Sequence, residues 1–367
     1  MRLRLLSGAL LGALALILPP ASAPAAVGRD FYGVIPINSL QASDIDGMGQ
    51  ARVGTLRIIF HWPVLEPSQG SYDWSQTDMV VGQAAQNGIE VLPFVYGTPG
   101  WVGVDCHGLS ESECERVPPL DSEAAREAWK AFLRAAAQRY GPGGAFWQEN
   151  PSVPNVPITQ WQIWNEPSSP TYWAPEPSTK DYAKLVALSD AAISEVDQGA
   201  KIILAGLFGT PQGDAGSRNV MWKYIGRLYK VKGFKKHFNA LALHPYSPNL
   251  EGIEFQLDKA LQKIKKNNDN NVGIWISEIG WGSDPPTPDK PLIKGPEGQA
   301  KLLEKSFGFL RKHRQKWNIE GLIWYSWQDP TGTPQTGCAF CSSSGLFEED
   351  GSKKPAYEAY VGITGGS

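Results

Sequence analysis

The chain is poor in the residues that most often build metal centres and redox sites, with 5 histidines, 4 cysteines and 4 methionines among 367 residues. Cys338 and Cys341 form a C-x-x-C, but no second pair stands at ligand spacing and no histidine completes a zinc set. No G-x-G-x-x-G turn or P-loop follows an apolar run, so the usual mark of a nucleotide-binding doubly wound sheet is missing. The formal charge is only -3, which offers no basic surface for nucleic-acid phosphates. The lysines of "KKHF" and "QKIKKNN" fall in turn and helix-end contexts and read as solvated surface. No metal, organic cofactor or nucleic-acid partner is implied.

Long apolar runs are scarce too. The one from Leu5 to Leu18 falls short of the roughly 20 residues that a membrane-spanning helix needs. It follows two arginines and precedes small residues in an A-x-A pattern at Ala23 and Ala25, with no cysteine nearby to take a lipid. This reads as a secretory signal peptide over residues 1–25, and predicts a secreted, extracellular protein that leaves the membrane once the signal is cleaved. Export would place the four cysteines in an oxidising compartment, where an even count points to disulfides, although four allow three pairings.

What the chain does have is enough apolar residue for a full core, 42%, against 19% charged, which excludes a disordered chain. One domain of about 330 residues, or two of about half that, would fit. Eight apolar or β-branched runs predict strands: residues 31–36, 55–60, 89–96, 157–164, 201–206, 239–244, 272–277 and 321–327. Stretches of helical period lie between them. "DSEAAREAWKAFLRAAAQRYG" opens with Asp121 as its cap, and "PSTKDYAKLVALSDAAISEV" opens on Ser178 and Thr179. "LDKALQKIKK" and "EGQAKLLEKSFGFLRKHRQKW" repeat the pattern. Eight such units of roughly 40 residues match a single (β/α)8 TIM barrel, over residues 26–367, better than an open sheet.

In such a barrel the reactive groups stand at the C-terminal ends of the strands. The fourth run closes on Asn165 and Glu166 in "WQIWNEP", and the seventh on Glu278 in "VGIWISEIGW". Carboxylates are costly at the ends of buried apolar strands, so two of them at one mouth call for a reason. Two carboxylates across a cleft can divide acid and base work when their surroundings push their pKa values apart, and glycoside hydrolysis uses that arrangement. Trp62, Trp101, Trp173, Trp281, Trp324 and Trp327 fall at or beyond strand ends, where flat aromatic faces could pack on sugar rings.

With "WNEP" and "SEIGW" in register with an eight-unit pattern, the chain resembles the clan A glycoside hydrolases. "GTLRIIFHWPVLEPSQGSYDW" makes it most similar to family thirty-nine, with family five second. The resemblance implies that Glu166 is the acid and then the base, that Glu278 is the nucleophile, and that Asn165 binds the sugar 2-hydroxyl. Asn165 and Glu166 can share a cleft only if the strand ends or bulges there. Arg57 matches the arginine that bonds the nucleophile and Tyr246 the tyrosine that contacts it. His244 would line the same pocket, with His61 a weaker candidate; Trp62, Trp281, Trp324 and Trp327 complete the expected substrate surface, Trp324 and Trp327 being rival platforms. The reaction implied is a retaining double displacement, its carboxyls about 5 to 5.5 Å apart.

The same fold puts Cys106 and Cys114 in the loop after strand three and Cys338 and Cys341 in the loop after strand eight, which predicts two local disulfides. The expected partner is a β-linked oligo- or polysaccharide, cut within the chain. A β-xylosidase-like exo-glycosidase or a transglycosylase would use the same site, and a secreted carbohydrate-binding barrel without catalysis is the reading from another class.

Overall fold

In the computed structural model the described residues are 27–209, 219–332 and 338–366. The expected signal segment, residues 1–25, lies outside them. Eight parallel strands close on themselves in chain order, each bonded to the next and the eighth to the first. They are β1 Tyr32–Ile35, β2 Thr55–His61, β3 Glu90–Tyr96, β4 Gln160–Ile163, β5 Lys201–Phe208, β6 Ala240–His244, β7 Gly273–Ile279 and β8 Ile319–Tyr325. Each apolar run named above supplies one strand, and the architecture is a single (β/α)8 TIM barrel.

A ring of helices covers the strands: α1 Ala42–Gln50, α2 Ser75–Gln86, α3 Glu123–Tyr140, α4 Thr179–Ser194, α5 Met221–Leu228, α6 Leu250–Lys266, α7 Pro296–Lys312 and α8 Pro355–Thr364. Their starts follow capping chemistry, since a side-chain oxygen can take one of the four amide protons a helix leaves unpaired. Ser178 accepts from the Asp181 amide and opens α4, as expected. For α3 the cap is Ser122 rather than Asp121, accepting from the Ala125 amide at 3.0 Å. Asp121 instead accepts from the Asp105 amide at 3.0 Å and ties down the loop after β3.

That loop carries the Cys106–Cys114 disulfide, and the loop after β8 carries Cys338–Cys341, with Cα atoms 5.0 and 5.5 Å apart. The local pairing expected from the topology is the one present. Past Cys114 the chain braces its neighbour: the Thr98 amide donates to Glu115 O, Ala174 N to Arg116 O, and Arg116 Nη1 to Pro170 O. The segments after β3 and β4 are thereby joined beside the barrel mouth. Among the described residues no helix is long and apolar enough to cross a membrane.

Candidate active site

The site begins on β2, where Arg57 points into the barrel and is fully buried. A buried guanidinium must find partners for its N–H groups. Nε donates to Gln162 Oε1 at 2.9 Å, Nη1 to Glu278 Oε1 at 2.7 Å and Nη2 to Asn165 Oδ1 at 3.0 Å, while its face lies 4.2 Å from the Phe94 ring. One side chain therefore holds the ends of β4 and β7 in register.

At β4 the backbone does what the sequence required for Asn165 and Glu166 to share a cleft. The strand stops at Ile163, and Trp164 and Glu166 adopt φ of 71° and 38°. Such values are uncommon for residues with a Cβ and persist where surrounding contacts hold them. Here the Trp164 amide donates to Val95 O, the Trp164 indole to Tyr172 O at 2.7 Å, and the Ser169 amide to Glu166 O at 2.8 Å.

From β6, His244 is fully buried between the two carboxylates. Its Nδ1 lies 2.7 Å from Glu166 Oε1 and 3.4 Å from Glu278 Oε2, and its Nε2 lies 3.0 Å from Ser277 Oγ. With a proton on Nδ1 the ring donates to Glu166, and its other nitrogen faces the Ser277 hydroxyl. The close approach needs room: β5 shifts register between Leu204 and Leu207, and a Cβ on Gly206 would collide with the His244 ring. Two residues on, Tyr246 donates to Glu278 Oε2 at 2.9 Å.

An oxygen of Glu166, one of Glu278 and the Nδ1 of His244 all lie within 4.8 Å of one another. They are the one such grouping of carboxylate and imidazole donors among the described residues, and its members are turned on each other, on Arg57 and on Tyr246. The surroundings of the carboxylates differ. Glu278 receives Arg57 on one oxygen and the Tyr246 hydroxyl on the other. Glu166 has its pKa pushed above the usual carboxylate range by loss of water; Glu278 adds to the push, and His244 and Arg57 oppose it. One carboxylate is held by a guanidinium and a hydroxyl, and the other is biased by its burial to keep a proton.

Six of the residues named from sequence thus come together: Arg57, Asn165, Glu166, His244, Tyr246 and Glu278. The four tryptophans do not join them. Trp62 is buried against Phe132 and donates to Glu66, Trp281 donates to Ser247 O, and Trp324 packs between Trp281 and Phe307 and donates to Ser344 O. Trp327 lies buried against Phe347 and Tyr357. Trp173 is likewise buried, and Trp101, partly exposed, donates to Glu66 O. For Trp324 the reason is strand alternation: an even position on β8 faces the helix ring and the next residue, Tyr325, faces the barrel.

Tyrosines line the mouth instead. The ring of Tyr325 stands 6.3 Å from that of Tyr246 and 6.1 Å from Phe340, which the Cys338–Cys341 loop delivers. Burial, with Glu278 and Glu166 nearby, raises the pKa of Tyr325 and of Tyr172. His61 stacks on Tyr96 at 6.2 Å and meets Glu115 Oε2 at 2.9 Å, forming a wall rather than joining the carboxylates. Gln162, Ser277, Tyr172 and Tyr325 were missed from the sequence; inward strand parity was the one signal that pointed to Tyr325.

Solved structures share this fold. The chain is similar to a family 39 glycoside hydrolase from Bacteroides cellulosilyticus WH2, at 19% identity and a TM-score of 0.65, over 92% of this chain and 65% of that one. It is similar to the GH39 enzyme from Xanthomonas axonopodis pv. citri at 19% identity and a TM-score of 0.66, over 93% and 67%. A monomeric beta-xylosidase from Caulobacter crescentus CB15 follows at 15% identity and 0.64, over 92% and 69%. The chain spans about two thirds of the length of these proteins. A family model described as beta-galactosidase, of glycoside hydrolase family 42, matches residues 37–101. No curated protein matches the chain. The clan A resemblance read from "WNEP" and "SEIGW", with family thirty-nine first, is therefore the one the solved structures return.

Proposed function

We propose that the protein is a secreted glycoside hydrolase that cuts β-linked oligo- or polysaccharides with retention of configuration. The observation that carries this reading is the pairing of Glu166 and Glu278, with an oxygen of each within 4.8 Å, Glu278 held by Arg57 and Tyr246 and Glu166 biased by burial to keep its proton. That approach of one oxygen to the other is nearer the roughly 5 to 5.5 Å carboxyl separation of retaining enzymes than the roughly 6.5 to 9.5 Å of inverting ones.

In the first step the Glu278 carboxylate attacks the anomeric carbon while the glycosidic C–O bond breaks and Glu166 gives its proton to the leaving oxygen. Arg57 and Tyr246 align the attacking carboxylate, and His244 orients the acid. In the second step Glu166 takes a proton from water, the resulting hydroxide bonds to the anomeric carbon, and the ester to Glu278 breaks. Asn165 turns its Oδ1 to Arg57, which leaves its amide N–H groups for a sugar hydroxyl.

Export is supported by the signal-like residues 1–25 and the two disulfides. Cutting within chains is supported by apolar side chains left exposed on strands three positions apart around the barrel, Ile59 on β2 at 46% and Phe208 at the end of β5 at 41%. A cleft open at both sides admits a chain, whereas a closed pocket admits an end.

The test is proton NMR of the first anomer released from a panel of β-linked oligosaccharides and aryl glycosides, beside Glu166→Ala and Glu278→Ala. Initial release of the β-anomer, lost in Glu278→Ala, supports the reading. Initial release of the α-anomer would overturn the retaining mechanism, and binding without turnover across the panel would favour a carbohydrate-binding barrel.

A further inference from the structure

The flank of the barrel carries a second feature that the mouth does not use. Between Asn219 and Leu250 the sequence holds six basic residues, Lys223, Arg227, Lys230, Lys232, Lys235 and Lys236, and no aspartate or glutamate. In a chain with a formal charge of -3 this is a marked local excess. Of these, the sequence alone assigned Lys235 and Lys236 to solvated surface; the fold brings one of the six, Lys232, to a concavity that α4 also lines.

A cavity of about 400 Å³ opens between α4 and the segment that follows α5. That volume falls in the range of ligand sites, roughly 300–1,000 Å³. Lys180, Ala183, Lys184 and Ala187 face it from one stripe of α4, at the three- and four-residue spacing that puts side chains on one helical face. Val231, Lys232 and Phe234 face it from the other side. Among the described residues Lys180, Lys184 and Lys232 have no carboxylate partner, and all three are exposed.

The nearby charges that are satisfied set the limits. His237 pairs with Asp190 at 2.8 Å, Lys235 lies 3.5 Å from Asp269, and Asp181 is the one carboxylate on the lining. Three ammonium groups on a rim over an apolar floor are the reverse image of a sugar chain with regularly placed negative charge, whose C–H faces would rest on Ala183, Ala187 and Val231. Nucleic acid fits less well, because the aromatic ring on the lining, Phe234, is buried and offers no face for a base to stack on.

We propose that this groove is a second, non-catalytic binding site for a carboxylated polysaccharide. It does not depend on the chemistry assigned to the barrel mouth. The site would hold the protein on an anionic glycan while the mouth works elsewhere on the same material.

The test is affinity electrophoresis through gels containing polygalacturonate, neutral β-glucan or no polymer, at low and at raised salt. The protein carries Glu278→Gln in every arm, so that a gel polymer cannot be consumed. Retardation by polygalacturonate that weakens with salt is expected, with a loss of about tenfold or more in affinity when Lys180, Lys184 and Lys232 are all changed to alanine. The triple arginine variant should retain binding, and the triple alanine variant, made with Glu278 intact, should turn over a small aryl glycoside as the parent does. No retardation, equal retardation of parent and triple alanine variant, or tighter binding of a single-stranded oligonucleotide than of polygalacturonate would overturn the proposal.

Discussion

His244 stands 2.7 Å from Glu166 through the same ring nitrogen that lies 3.4 Å from Glu278, so one imidazole touches both carboxylates at once. Its other nitrogen is held by Ser277, which fixes the ring. The proton that Glu166 must keep is therefore set by three groups besides its burial: His244, Glu278 and Arg57.

The pH dependence of turnover follows from that balance. Burial raises the pKa of Glu166, so the acid form persists above the usual carboxylate range and kcat/KM should fall only as pH rises through the higher value. His244 opposes the shift by hydrogen-bonding the ionised form. His244→Phe removes that bond, so the alkaline limb should move to higher pH while kcat falls. A pH–rate profile whose alkaline limb stays where it was would show that His244 does not set the proton on Glu166.

A glycine on β5, between the strands that deliver Glu166 and His244, should be nearly as sensitive. Gly206 sits within the register shift of β5, and any Cβ there meets the His244 ring. Forcing a methyl into a packed site costs roughly 1–3 kcal/mol. If the ring moves to relieve the clash, Glu166 loses its partner, and Gly206→Ala should lower kcat by about 100-fold, the low end for a misplaced acid catalyst. Denaturant unfolding and steady-state rates would measure the two effects; a fully active variant would show that the ring position is not critical.

The barrel was legible because each strand is an apolar run bounded by turn or helix signals, and that pattern survives without knowledge of distant contacts. The carboxylates were legible because charge at the end of such a run is conspicuous. The tryptophans misled because their direction depends on where a strand stops, and an error of one residue turns a side chain from the barrel to the helix layer. Gln162, Ser277 and Tyr172 were invisible for another reason. Their roles rest on contacts such as Arg57 to Gln162, across 105 positions, which no local pattern encodes.

The exchange of roles between Trp324 and Tyr325 can be measured directly. Trp324 is packed between Trp281 and Phe307, so Trp324→Ala should cost roughly 3–5 kcal/mol of stability. Tyr325 borders the carboxylates, so Tyr325→Ala should raise KM or lower kcat at a smaller cost in stability. Unfolding curves and kinetics on one substrate, taken for both variants, separate the two. A Tyr325→Ala enzyme with unchanged kinetics would remove it from the site.

Behind β7 and β8 a buried ion pair fixes the loops that form the mouth's far wall. Lys354 Nζ donates to Asp329 Oδ2 at 2.5 Å, to Ser283 Oγ at 2.9 Å and to Ser343 O at 3.2 Å, and the Gly345 amide donates to Asp329 Oδ1 at 2.7 Å. Loss of water nevertheless pushes the Asp329 pKa up to about 6, against the pull of Lys354. A carboxyl whose folded pKa is raised binds its proton more tightly in the native state than in the unfolded chain. Its contribution to stability therefore falls as pH rises from about 4 to about 6 and is level above. Lys354→Met leaves Asp329 buried without its cation, which should cost roughly 3–5 kcal/mol at pH 7.5. The same variant should lose less at pH 5, where Asp329 is mostly protonated. Denaturant titrations of parent and variant at the two pH values decide the matter: an equal loss at both would mean that Asp329 does not change charge in this window.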